Sequence, residues 1–131
     1  MENLTNHITE LLILVFILIT FLQSGVDKAI DWNGNTGWLK EHFSGTFLSG
    51  MVPLMVGIIL IIEVLVGILA IAGIVWILGY NDTSLALYSC ILACITLLML
   101  LFGQRIAKDY AGAFTLTGYF IVCILGVYIM Q

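Results

Sequence analysis

One carboxylate, Glu63, stands inside an apolar run of 28 residues, 52–79, that holds no other ionisable side chain. A stretch this long constrains the fold more than any other feature, because about 20 apolar residues already cross the ~30 Å hydrocarbon core of a bilayer as a helix. A carboxyl inside such a helix costs about 2.5–3.5 kcal/mol on insertion scales, and residues of this kind face a partner or a cavity rather than lipid. The chain is therefore expected to be a membrane protein in which one helix turns an acid inward.

The composition agrees. Of 131 residues, 62% are hydrophobic and only 9% are charged, whereas a soluble domain of this size needs far more polar surface. Four Lys and Arg in total cannot neutralise a phosphate backbone, which argues against nucleic acid as a partner. The first residues lack a basic segment, and no small-x-small site closes the run 11–22. That run reads as a retained membrane helix rather than a cleaved signal. The three cysteines, Cys90, Cys94 and Cys123, lie in apolar segments, and an odd number there is a poor disulfide framework.

Four segments are long and apolar enough to span, at about residues 5–24, 52–79, 84–103 and 111–130. In lipid each can satisfy its backbone only as a helix, and four short spans cannot close a barrel. The expected fold is an all-α four-transmembrane-helix bundle in a single domain, 1–131. The second span would be about 42 Å long at 1.5 Å per residue, so it must tilt or run into the headgroups. Pro53 suits its first turn. Residues 79–83 and 104–110 read as tight turns. The longer stretch 25–50 mixes Asp27, Lys28, Asp31, Lys40 and Glu41 with Trp32, Trp38, Phe43 and Phe47, the composition of a membrane interface. Within it, residues 33–37 read as a turn, with Thr36 capping a short interfacial helix over 37–47.

Four spans put the first and third connections on one face, and that face carries Lys28, Lys40, Arg105 and Lys108, every Lys and Arg in the chain. The positive-inside rule makes it cytoplasmic and places both termini outside.

Several side chains have a functional reading beside a structural one. Glu63 is either a proton acceptor, or an acceptor for the head of a quinone or substrate, or a carboxyl hydrogen-bonded across helices. Thr20, Cys94, Thr96 and Tyr119 are the candidate partners at similar depth. Gly67 and Ala70 share its helix face and let another helix approach. Asp27 and Asp31 fall on one side of a helix with Lys28 able to pair with either; they form a polar rim at a cavity mouth, or a solvated helix end with a Trp anchor. Arg105 and Lys108 either snorkel to the headgroups, meet Asp27 or Asp31, or offer an anionic headgroup or ligand its basic cluster. Cys90 and Cys94 stand at i, i+4, without a third metal ligand at matching depth. No nucleotide loop, zinc signature, nucleophile elbow or haem motif occurs in the sequence. No catalytic residue and no cofactor is evident from the residues alone.

Residues 21–32, with Gly25 followed by Lys28, resemble the end of the first helix in DoxX-like membrane proteins, where a Gly, two or three residues and then a Lys close the first span. Glu63 and Gly67, followed by an apolar continuation, resemble the Glu-x-x-x-Gly pattern of the second helix. Overall size and the four-span layout match as well. The similarity covers most of residues 20–75. An Arg inside the first helix and a basic residue after the second, both frequent in the family, are absent. DoxX-like proteins include a membrane subunit of thiosulfate:quinone oxidoreductase and partners of oxidative-stress and sulfur-transfer enzymes. The resemblance thus implies a bacterial inner (cytoplasmic) membrane protein, a quinone as cofactor, and termini in the cytoplasm, opposite to the charge count. The role expected is a small, non-catalytic accessory subunit of a larger membrane complex, in contact with lipid and other integral subunits. The alternatives are a structural subunit of a transport, secretion or motility complex, and a small proton or solute carrier using Glu63. Gly57, Gly67, Gly73, Gly118 and Gly126 suit close helix contacts within the bundle or with a partner.

Overall fold

The computed structural model describes residues 2–131. The order is α1 (Glu2–Asn6), α2 (Ile8–Ile17), a π-helical turn (Leu18–Leu22), α3 (Gln23–Ile30), α4 (Trp32–His42), a 3-10 turn (Ser49–Met51), α5 (Val52–Tyr80), α6 (Ser84–Ile106) and α7 (Tyr110–Met130). No strand occurs among the described residues. Four continuous stretches, Ile8–Ile30, Ser49–Tyr80, Ser84–Ile106 and Tyr110–Met130, are long and apolar enough to cross a membrane. The all-α bundle expected from the hydropathy is the one observed, and the chain is a multi-pass integral membrane protein. Only 22–39% of each span's apolar window is buried inside the bundle. The remaining Leu, Ile, Val and Phe surface needs hydrocarbon around it.

The first span differs from its expected limits of 5–24. Thr5 belongs to the separate α1, and the chain breaks at His7 (φ −124°, ψ 31°). At the other end the helix continues through Ser24, Asp27 and Lys28 to Ile30, because these polar side chains share one face that lines a polar cavity and do not end the helix. The third span likewise runs on to Ile106.

The interfacial helix exists but starts earlier than expected. Asp31 caps α4 by accepting from Gly34 N at 3.3 Å. The segment 33–37, read as a turn from its Asn and Gly content, is helical. Thr36 is no cap: it is buried in mid-helix, and its hydroxyl donates to Trp32 O at 2.9 Å. An N-cap together with burial of Trp32 and Leu39 against α5 outweighs the weak helix propensity of Asn and Gly, about 1 kcal/mol per Gly.

Helix α5 is the hub. It packs on α6, on α2 and on α3, while α7 packs on α6 and closes against α2. A Cβ on Gly73 would lie 2.8 Å from Ala86 Cα, and one on Gly126 would lie 2.7 Å from Cys90 Sγ. Those two glycines set the spacing of α5 to α6 and of α7 to α6. Gly118 meets nothing within 4 Å. The half of the bundle nearest the termini is mostly apolar: Leu14, Ile17, Val66, Ala70, Cys90 and Cys123 are fully buried, and the buried Ser89 donates to Val66 O. At the opposite end α3 packs on α5 and α4. There a second, small core of Phe43, Leu48, Val52 and Val56, overlaid by Trp32 and Leu39, caps the start of α5 that projects beyond α3.

Both short turns end their helices on a left-handed residue. Gly79 stays helical, and Asn81 (φ 54°) takes the left-handed position, with Asp82 N reaching back to Trp76 O. Lys108 (φ 60°) does the same after α6, and Asp109 then caps α7 by accepting from Gly112 N at 2.9 Å.

Candidate functional site

Gly25 brings α3 against α5. A Cβ there would lie 3.4 Å from Val64 Cγ2 and 3.8 Å from Glu63 Cβ. Three residues on, Lys28 reaches back along that contact. Its Nζ lies 3.2 Å from both carboxylate oxygens of Glu63 and donates to Ser24 Oγ at 2.6 Å. The carboxylate is 1% exposed and the Lys28 side chain 17%. Glu63 thus avoids lipid by facing a cation inside the bundle.

Depth matters to the cost. Gly25, at the level of Glu63, is about 8 Å from the Ile30 end of the first span and about 26 Å from its Ile8 end at 1.5 Å per residue. The acid is central in its apolar run, and it lies near an end of the first span alone, since the first part of α5 projects past α3. Lys28, two residues from Ile30, thus reaches inward from the end of its span to an acid at mid-depth of α5.

Two cavities meet at Lys28. The first, about 370 Å³, is polar and lies between the first span and α7; Thr20, Gln23, Ser24, Asp27, Lys28, Asn35 and Tyr119 line it. The π-helical turn runs through its wall, and one wider turn of this type re-aims the side chains that follow. The second, about 700 Å³, is an apolar groove beneath α4, lined by residues such as Leu39, Phe43, Val56, Ile59, Met99 and Leu116, with Gln104 as a polar member. Lys28 lines both. Over the groove, His42 Nε2 lies 2.8 Å from Gln104 Oε1 and 3.6 Å from Asp109 Oδ2, with Trp38 stacked on the imidazole at 4.7 Å. These contacts tie α4 to the turn between α6 and α7.

The residues singled out from the sequence scatter accordingly. None of the candidate partners at similar depth bonds Glu63. Thr20 and Tyr119 line the polar cavity instead, Thr96 donates to Leu92 O of its own helix at 2.8 Å, and Cys94 is packed in the main core. Lys28 pairs with neither Asp27 nor Asp31, because an exposed pair is worth about 0–1 kcal/mol whereas a buried carboxylate left without a cation costs several. Of the expected rim, Asp27 and Lys28 reach the cavity. Asp31 caps α4, Arg105 sits over the Tyr110 ring at 4.9 Å, and Lys108 ends α6; neither base meets Asp27 or Asp31. The Lys28–Glu63 bond went unread in the sequence. Its signal was the spacing Ser24-Gly25-x-x-Lys28, a small residue beside a hydroxyl one turn below a cation. Among the described residues no group of three or more His, Cys, Asp or Glu could hold a metal.

Comparison of the chain with protein-family models, with curated proteins and with solved structures finds no match.

Proposed function

We propose that this protein binds a lipid-soluble amphipath, with its tail in the apolar groove and its polar head at the Lys28–Glu63 pair, and that it does so as a DoxX-like accessory subunit of a bacterial inner-membrane redox complex. The observation that carries the reading is that Lys28 lines both the apolar groove and the polar vestibule while its ammonium is held by Glu63. Ligand sites of this kind are mostly apolar clefts with a few fixed polar groups.

A quinone, the cofactor class the resemblance implies, fits the residues present. Its flat ring and isoprenoid tail suit a wall of Leu, Ile, Met and Phe, and its carbonyls need donors. The three N–H groups of Lys28 are engaged by Ser24 and Glu63, so the donors for those carbonyls are the Tyr119 hydroxyl and the Gln104 amide at the two cavities. A bound quinone would supply two-electron carriage within the membrane. This chain's part is to seat the tail and to orient the head by donating hydrogen bonds. What supports a site over a transport path is the core beyond the pair, where Leu14, Ile17, Val66 and Ala70 are fully buried and the Ser89 hydroxyl is engaged by Val66 O.

The test is photo-crosslinking of the protein in bilayer nanodiscs with an azido-quinone bearing a short isoprenoid tail. The expected result is saturable labelling of α5 and α6 residues at the groove, competed by unlabelled quinone and weakened by Glu63→Gln. Labelling that does not saturate, or that spreads evenly over lipid-facing positions, would refute the reading. Recovery in gentle detergent together with larger membrane partners tests the subunit role; a lone monomer whose deletion changes no partner would oppose it.

A further inference from the structure

We infer that the vestibule accepts a neutral or cationic head group and rejects anionic ones, with Asp27 as the specificity-determining residue; this rests on the amphipath reading above. The argument is a charge count. The vestibule's one basic side chain is Lys28, and both oxygens of Glu63 lie 3.2 Å from its Nζ. As an ammonium facing a carboxylate, the pair carries no net charge. What remains at the wall is the Asp27 carboxylate, which has no ion-pair partner among the described residues. Thr20, Gln23, Asn35 and Tyr119 add dipoles but no charge.

An anion entering this space would have to take Lys28 from Glu63, leaving a buried carboxylate alone, and would also face Asp27. Each of these opposes binding. A cation meets the opposite balance: the Asp27 carboxylate attracts it, and the Tyr119 ring lies in the same wall. A neutral head meets neither effect and takes hydrogen bonds from the amides and hydroxyls. Arg105 and Lys108, the basic cluster an anion would need, lie outside both cavities.

The experiment compares three spin-labelled single-chain amphipaths with the same tail and with trimethylammonium, neutral amide and carboxylate heads, in nanodiscs of uncharged lipid at low salt. The motionally restricted fraction of the electron paramagnetic resonance spectrum reports relative binding. The trimethylammonium and amide chains should bind at least about tenfold more tightly than the carboxylate, and the cation's advantage should shrink at high salt. Asp27→Asn should bring the cationic and anionic chains to within about threefold, while Glu41→Gln on the exposed side of α4 leaves the order as it was. Equal or tighter binding of the carboxylate, or a ratio indifferent to Asp27→Asn, overturns the inference alone. Failure of all three chains to show a restricted fraction overturns the amphipath reading, and this inference with it.

Discussion

Lys28→Met should destabilise the bundle more than Glu63→Gln, and the double variant should be more stable than Lys28→Met alone. In the first variant the carboxylate of Glu63, 1% exposed, loses the ammonium that faces both its oxygens. Breaking a buried pair from one side costs about 3–5 kcal/mol. The lower end applies here, about 3 kcal/mol, because the polar cavity lined by Ser24 adjoins the pair and can admit water. In the Glu63→Gln variant the new amide oxygen still accepts from Lys28. The lysine is already 17% exposed and has a four-carbon stem with which to reach the interface, so the loss is about 1 kcal/mol. With both changes no unpaired charge remains. A cost of about 2 kcal/mol is expected, against about 4 from simple addition, which leaves a coupling of about 2 kcal/mol. Unfolding in mixed dodecylmaltoside and dodecyl sulfate micelles, followed by the fluorescence of the three tryptophans, measures all four corners. Strict additivity, or Glu63→Gln costing more than Lys28→Met, would refute the claim that the two side chains solve one burial problem together.

At the other end of the bundle, His7 Nδ1 faces Glu10 Oε2 at 2.8 Å and Nε2 faces Asn81 Oδ1 at 2.5 Å, an arrangement only the imidazolium satisfies on both sides. The hydrogen bond to Asn81 first, then Glu10, hold the His7 pKa above its usual value against the opposing effect of burial. A folded-state pKa raised in this way contributes stability in full below about pH 6.5, and the contribution is lost as pH rises through the raised value. Micellar unfolding midpoints should fall across that window, and His7→Gln should flatten the dependence. Gly73→Val should destabilise by about 1–3 kcal/mol in the same assay, since its Cβ lands on the Ala86 backbone, while Gly118→Ala, with open space around it, should be neutral or slightly stabilising. Cys90, Cys94 and Cys123 are buried, so a polar maleimide should label them only after unfolding, at rates that follow the loss of tryptophan signal.

Hydropathy made the four spans and both short turns legible, because a membrane leaves a chain little choice. It read α4 one turn too late. The segment 33–37 has the composition of a turn, and only the Asp31 cap and the contact of Trp32 with α5 make it helical; both depend on where the neighbouring helix stands. The partner of Glu63 was hidden for a related reason. The pairing depends on the stagger of α5 past α3, which brings the end of the first span level with the middle of the second and follows from the α4 cap over Val52 and Val56. Lys28 also sat among acidic neighbours in sequence, which favoured a surface pairing that the fold does not use.

The two halves of the molecule obey different rules, and the site lies where they meet. Toward the termini, glycines and small residues draw α5, α6 and α7 together over a core with no charge in it, and the helix pairs there have no reason to part. Toward α4 the first span carries Gln23, Ser24, Asp27 and Lys28 on a face that cannot sit in lipid, and cannot close on α7 without burying them. Packing α3 on α5 through Gly25 pairs one of those side chains with Glu63 and leaves the others along a wetted wall. The opening between α3 and α7 is thus a consequence of where the polar residues fall. A chain that replaced Glu63 and Lys28 with apolar residues but kept Gln23 and Asp27 should retain the opening and lose only the charge at its floor.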